Sequence, residues 1–139
     1  HLTTRRQRQM CIRDSNNGVY KTGFATTQSV YEEEYSKVFA SLDWLEERLT
    51  QRTFLAGDNV TEADWRLFTT LVRFDSVYHG HFTLNRQKLS EFPRLSDYIE
   101  CLTAVPGVSE TINQDHIKAH YYGSHMSINP TGIVPLGPA

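Results

Sequence analysis

The 139 residues predict an all-α bundle with an extended C-terminal tail. Three observations point there. Apolar and aromatic positions recur at spacings of three and four residues, two segments open with residues suited to a helix start, and almost nothing alternates with the period of two that a half-buried strand needs. The chain amounts to one domain, long enough to bury roughly 68% of the surface its unfolded form would expose.

Arg5, Arg6, Arg8 and Arg13 crowd four of the 14 basic residues into the first 14 positions. Residues 1–14 read as a disordered or non-native extension, and the domain is assigned to 15–139. With His1 in place of an initiator and no apolar signal core, the chain reads as an incomplete product. Tyr31, Tyr35, Val38, Leu42, Leu45 and Leu49 then form one stripe of a helix from about Ser29 to about Thr50. Glu33 stands four residues before Lys37 in the favourable order.

The best-specified helix start follows Gly57, Asp58 and Asn59. Thr61 is placed to cap, Asp64 can reach back to the Thr61 amide, and Val60 can pack on Trp65 as a hydrophobic staple. Loss of the Thr61 cap is expected to cost about 1 kcal/mol. This helix runs through Leu67, Phe68, Leu71, Val72 and Phe74 and ends near Tyr78 to Gly80. After a loop through Arg86, Pro93 suits the first turn of a helix carrying Leu95, Tyr98, Ile99 and Leu102, which Pro106 and Gly107 stop. A last helix spans about Ser109 to about Tyr122, and INPTGIVPLGPA, with three prolines and two glycines, is the tail.

Composition narrows the functional classes. From Ser15 onward 10 basic residues face 15 acidic ones, a formal net charge of −5, which argues against a nucleic-acid partner. No apolar run is long enough to span a membrane. Cys11 and Cys101 make neither a disulfide framework nor a thiolate metal site, so a cytoplasmic setting is expected.

The chemistry-bearing strings are NNGVYKTGFATTQ around Tyr20, VRFDSVYHGHF around Tyr78 and HIKAHYYGSH around Tyr121. FLAGDNVTEADWRLF and FPRLSDYIECLTAVPGV are similar to segments shared across the helical domains of glutathione transferases. The tyrosine strings, with the closing HYYGSHMSINPTGIVPLGP, resemble the xi class in particular, the glutathionyl-hydroquinone reductases, over about Asn16 to Pro138. The resemblance implies a C-terminal, substrate-side helical domain, working beside a thioredoxin-like half that these residues do not contain.

In that family a cysteine of the thioredoxin-like half attacks the sulfur of a glutathionyl-hydroquinone, and a second glutathione resolves the mixed disulfide. The resemblance therefore implies glutathione as co-substrate, a glutathionylated quinone or hydroquinone as substrate, and a homodimer. Such chemistry needs a thiolate near neutral pH and a proton for the departing aromatic ring. Phenols suit both tasks because they donate a hydrogen bond and stay neutral well above pH 7. Matched one at a time, Tyr20 takes the family's proton-donor position, while Tyr78 and Tyr121 take the positions that support thiolate formation. Tyr121 is chosen over its neighbour Tyr122 because it follows AH in the motif. Without the cysteine, the chain alone is expected to be inactive.

Other residues read more plainly. Tyr31, Tyr35, Tyr98, Trp44 and Trp65 are expected to pack. His116 and His120 stand four apart, a spacing that can hold zinc, but no third ligand is fixed by sequence, so no metal is expected. His79, His81 and His120 stand close enough in sequence to tune the tyrosines. Cys101 reads as a small buried hydrophobe. Two rivals remain, a conjugating transferase domain and a non-catalytic transferase-like interaction module.

Overall fold

The computed structural model describes residues 2–137, so His1, Pro138 and Ala139 lie outside it. Among the described residues the α-helices run α1 (Leu2–Gly23), α2 (Gln28–Arg48), α3 (Glu62–Arg73), α4 (Pro93–Thr103) and α5 (Gln114–Ser124). A π turn over Phe74–Tyr78 continues α3, and short 3-10 turns over Leu89–Glu91 and Ser109–Thr111 precede α4 and α5. No β-strand occurs among these residues, and the fold is the expected all-α bundle.

The stretch expected to be a disordered or non-native extension is helical from residue 2 on, because α1 begins at Leu2 and takes it in. Its inward face is built from Cys11, Ile12, Ser15, Val19 and Thr22, all buried at helical spacing. Most of these side chains are small or polar, so no apolar stripe announces the helix. Close approach adds to this modest bulk: a Cβ on Gly18 would lie 2.6 Å from the Val38 methyl of α2. Asn16 fastens α1 to α3, donating to the Arg66 carbonyl (2.9 Å) and accepting from the Thr70 hydroxyl (2.6 Å).

The start of α2 is capped by Thr27, whose hydroxyl accepts from the Val30 N–H at 3.3 Å. Val38, Leu42, Leu45 and Leu49 of the predicted stripe are buried, whereas Tyr31 and Tyr35 are half-buried. Glu33 and Lys37 pair at 3.4 Å on the exposed face. At α3, Thr61 is the N-cap and the Asp64 carboxylate accepts from its N–H at 2.8 Å. Val60 and Trp65 are each partly buried against the core.

Carboxylates tie the remaining elements together. Glu46 of α2 accepts from the Arg94 and Leu95 N–H groups (2.9 and 2.8 Å), satisfying orphan donors at the α4 N-terminus where Pro93 leads the helix. Asp75 of the π turn accepts from the Leu89 and Ser90 N–H groups (2.6 and 3.1 Å). The last helix starts later than expected, at Gln114, because Asn113 caps it through a 3.1 Å bond from the His116 N–H, while Ser109–Thr111 closes its own 3-10 turn. Beyond α5 the described tail contains no helix and is held at two points. Asn129 donates to the Tyr122 and Ile133 carbonyls (2.7 and 2.9 Å), and the buried Lys118 ammonium donates to the Leu136 carbonyl at 3.0 Å.

Candidate active site

Tyr20 opens the last turn of α1, close to the point where Gly23 lets the helix end against Phe82. Any Cβ at residue 23 would lie 2.3 Å from the Phe82 ring. Tyr78 reaches the same region through the π turn. The His79 N–H bonds the Phe74 carbonyl five residues back at 2.9 Å, so one extra residue enters the turn and its side chains are re-aimed. Tyr121 comes from α5, which packs on that π turn.

The three hydroxyls meet. Tyr20 Oη lies 2.5 Å from Tyr121 Oη, Tyr121 Oη lies 3.1 Å from Tyr78 Oη, and Tyr20 and Tyr78 are 3.5 Å apart. The last distance exceeds a well-formed hydroxyl bond, so Tyr121 is the central member of the chain. Exposure runs the same way: Tyr78 is 2% exposed, Tyr121 8% and Tyr20 40%, which leaves Tyr20 as the member that opens to the surface. Burial, then the bonds to Tyr121 and Tyr20, push the Tyr78 phenol far above the ordinary tyrosine range. Burial and then the bond to Tyr20 push Tyr121 up as well. Both are therefore neutral hydroxyls at any physiological pH.

Phe82, 1% exposed, is the platform under the cluster. Its ring stacks on Tyr78 (5.2 Å, 5°) and meets Tyr20 and Tyr121 edge-on (5.4 and 6.0 Å). Phe24, one turn after Tyr20 and 43% exposed, packs edge-on against Phe82 and His125. The sequence reading missed Phe24, Phe82 and His125, although two simple spacings point to them. Phe24 follows Tyr20 by four residues, as His125 follows Tyr121, and each pair shares a helix face.

The other candidates fall as follows. Tyr122 stays outside the phenol cluster, half-buried with its ring 4.5 Å from that of His81. His116 and His120 are exposed on α5, and no group of three or more His, Cys, Asp or Glu is arranged around a metal position among the described residues. His79 is half-buried on the turn after Tyr78. Tyr98 donates to Asp64 at 2.6 Å, and Trp44 and Trp65 pack against the core. Cys101 is a correction: it is exposed, because it lies off the α4 stripe of Leu95, Tyr98 and Leu102. The buried cysteine is Cys11, whose thiol accepts from Gln7 and is pushed up by burial, the opposite of activation. An open cleft of about 440 Å³, lined by Arg52, Arg94, Asp97 and Cys101 among others, includes none of the three tyrosines.

Comparison with known proteins gives this geometry a family. Residues 28–101 match the glutathione S-transferase C-terminal domain, and the chain belongs to that family. Within it the likeness is to the xi class. The glutathionyl-hydroquinone reductase PcpF of Sphingobium chlorophenolicum is 60% identical over 89% of this chain and 40% of its own length. The glutathionyl-hydroquinone reductase YqjG of Escherichia coli is 51% identical over 88% of this chain and 38% of its length. The glutathione-bound structure of YqjG superposes with a TM-score of 0.94 over 100% of this chain and 45% of that one, at 45% identity. The xi-class transferase of Phanerochaete chrysosporium gives 0.93 over 99% and 47%, at 43% identity. This chain thus spans about 40% of the length of the curated relatives it matches. No helix among the described residues is long and apolar enough to cross a membrane.

Proposed function

We propose that this chain is the substrate-side helical domain of a glutathione-dependent reductase that converts glutathionyl-hydroquinones to hydroquinones. The observation that carries the reading is the hydrogen-bonded contact of three phenols drawn from three separate elements. The relatives named glutathionyl-hydroquinone reductases support the same choice.

The reaction runs in two balanced steps. A cysteine thiolate, supplied from outside these 139 residues, attacks the substrate's thioether sulfur. The carbon–sulfur bond breaks as a sulfur–sulfur bond forms, and the ring carbon takes up a proton to give hydroquinone. The thiolate of a second glutathione then attacks the mixed disulfide, releasing glutathione disulfide and the enzyme's thiolate. Glutathione is the reductant.

This chain's part is proton supply and hydrogen bonding. One orientation of the hydroxyls satisfies the phenol chain: Tyr78 donates to Tyr121, Tyr121 donates to Tyr20, and the Tyr20 proton faces outward. Tyr20 is then the proton donor, and the bond it accepts stabilises the phenolate left behind. Tyr78 and Tyr121, held neutral by burial, favour charge on an incoming sulfur indirectly, because the bonds they donate along the chain strengthen the outward Tyr20 hydroxyl as a donor. The family resemblance adds a homodimer to this reading.

The test joins this chain to the portion of E. coli YqjG that it does not match and assays the chimera on a glutathionyl-hydroquinone. Turnover is expected from the chimera and not from the chain alone. In the chimera, Tyr20→Phe should lower kcat by about 10²- to 10⁴-fold, the usual contribution of a positioned general acid. A Tyr20→Phe chimera within twofold of the parent would favour a conjugating transferase. Turnover by the isolated chain would overturn the division of labour.

A further inference from the structure

Two imidazoles stand beside the phenols in a defined arrangement. His81, three residues beyond Tyr78, is 5% exposed, and its Nε2 lies 3.1 Å from Nδ1 of His125, the residue that caps the C-terminus of α5. The rings stack at 5.2 Å and 20°. Each partner is also tied to the backbone beside a phenol. The His81 N–H donates to the Val77 carbonyl at 2.7 Å, and the His125 N–H donates to the Tyr121 carbonyl at 3.3 Å. The side-chain bond therefore spans the two elements that deliver Tyr78 and Tyr121. Phe82 stacks on both imidazoles and on Tyr78, and His125 meets the Tyr121 ring edge-on at 5.3 Å.

We propose that His81 and His125 are positioning residues: their hydrogen bond clasps the end of α5 to the segment after the π turn and so keeps the Tyr121 hydroxyl in contact with Tyr20 and Tyr78. The catalytic meaning of this clasp rests on the reductase reading above; the clasp itself does not.

The proton count supports a clasp that works at neutral pH. The bond needs one N–H and one lone pair, which two neutral imidazoles supply in either tautomeric order. One added proton is tolerated by exchanging donor and acceptor, whereas a second leaves two N–H groups facing each other. Burial, then the neighbouring His125, lowers His81 to about 4, and burial followed by His120 lowers His125. The titratable groups facing the pair from α5 are His120, whose ring is 6.3 Å from His125, together with Tyr121 and Tyr122. From the turn that follows α1 and from the segment after the π turn come Phe24 and Phe82, which carry no charge. None of the salt bridges among the described residues involves either imidazole. Apolar surroundings, not a counter-ion, keep the second proton off.

Three readouts test the clasp. With ¹⁵N-labelled histidine, this chain at pH 7 should show a coupling across the hydrogen bond between His81 Nε2 and His125 Nδ1; its absence would overturn the proposal. In folded His125→Phe, the ring is kept and the bond lost, so Tyr121 should ionise more readily by about tenfold, one pKa unit, in an ultraviolet titration. His125→Gln, which restores a polar partner, should recover part of that shift. A folded His125→Phe chain whose phenol titration superposes on the parent would reduce the pair to packing and overturn the clasp. In the chimera, His125→Phe should lower kcat on the order of tenfold or more with KM within twofold, as misplacement of a catalytic group does, and a change in KM alone would contradict it. An inactive parent chimera would count against the reductase reading, while the coupling and the phenol titration would still decide the clasp.

Discussion

Asp64 has no exposed surface and accepts hydrogen bonds from three separate stretches of chain: the Leu55 N–H at 3.0 Å, the Thr61 N–H at 2.8 Å and the Tyr98 hydroxyl at 2.6 Å. Removing it strands all three donors, at roughly 1–3 kcal/mol for each buried group left unpaired. Asp64→Ala should therefore destabilise the chain by roughly 3–9 kcal/mol in denaturant unfolding, well beyond the about 1 kcal/mol expected for loss of the Thr61 cap. Equal effects for the two substitutions would show that Asp64 does no more than finish the capping box. Only part of this was legible beforehand. The spacing of Thr61 and Asp64 announces a helix start, but the bonds from Leu55 and Tyr98 depend on how the loop and α4 fold back. The phenols fared better because local strings mark Tyr20, Tyr78 and Tyr121. Cys101 went the other way, since its apolar neighbours in sequence are not its neighbours on the helix face.

Among the elements, α1 and the π turn decide where the phenols stand, and neither has a hydropathy signature. The face that α1 buries mixes Ser15, Gly18 and Thr22 with Cys11, Ile12 and Val19, so close approach adds to a modest apolar mass. The π turn adds one residue to a segment whose pattern is otherwise that of an ordinary helix, which is why the end near Tyr78 was legible and the altered register was not. Paired glycine substitutions separate proximity from helix propensity. Gly23→Ala places a methyl 2.3 Å from Phe82, so overpacking of about 1–3 kcal/mol should outweigh the helical gain of alanine. Gly123→Ala, on α5 with nothing within 4 Å of the new Cβ, should instead stabilise by about 0.5–1 kcal/mol. Thermal unfolding of the two variants checks the signs, and a stabilising Gly23→Ala would mean that α1 does not press on the Phe82 platform.

At the scale of the whole molecule, residues 20, 78 and 121 come together only because α1 lies along α2, α3 bends through its π turn, and α5 packs onto that turn. The sequence made the bundle legible through stripes and caps, and the family resemblance supplied the identity of the three phenols. Their mutual distances, the Phe82 stack and the imidazole pair are tertiary facts with no local signal. The relatives are longer than this chain, so the chemistry is best tested where the chain is joined to a partner half. Groups that act as a unit give strongly non-additive losses, whereas independent groups multiply. The most direct measurement is kcat of the chimera carrying Tyr20→Phe, Tyr121→Phe and both changes together. If the phenols are one hydrogen-bonded unit, the double variant should fall little further than Tyr20→Phe alone; a loss equal to the product of the two single effects would contradict it.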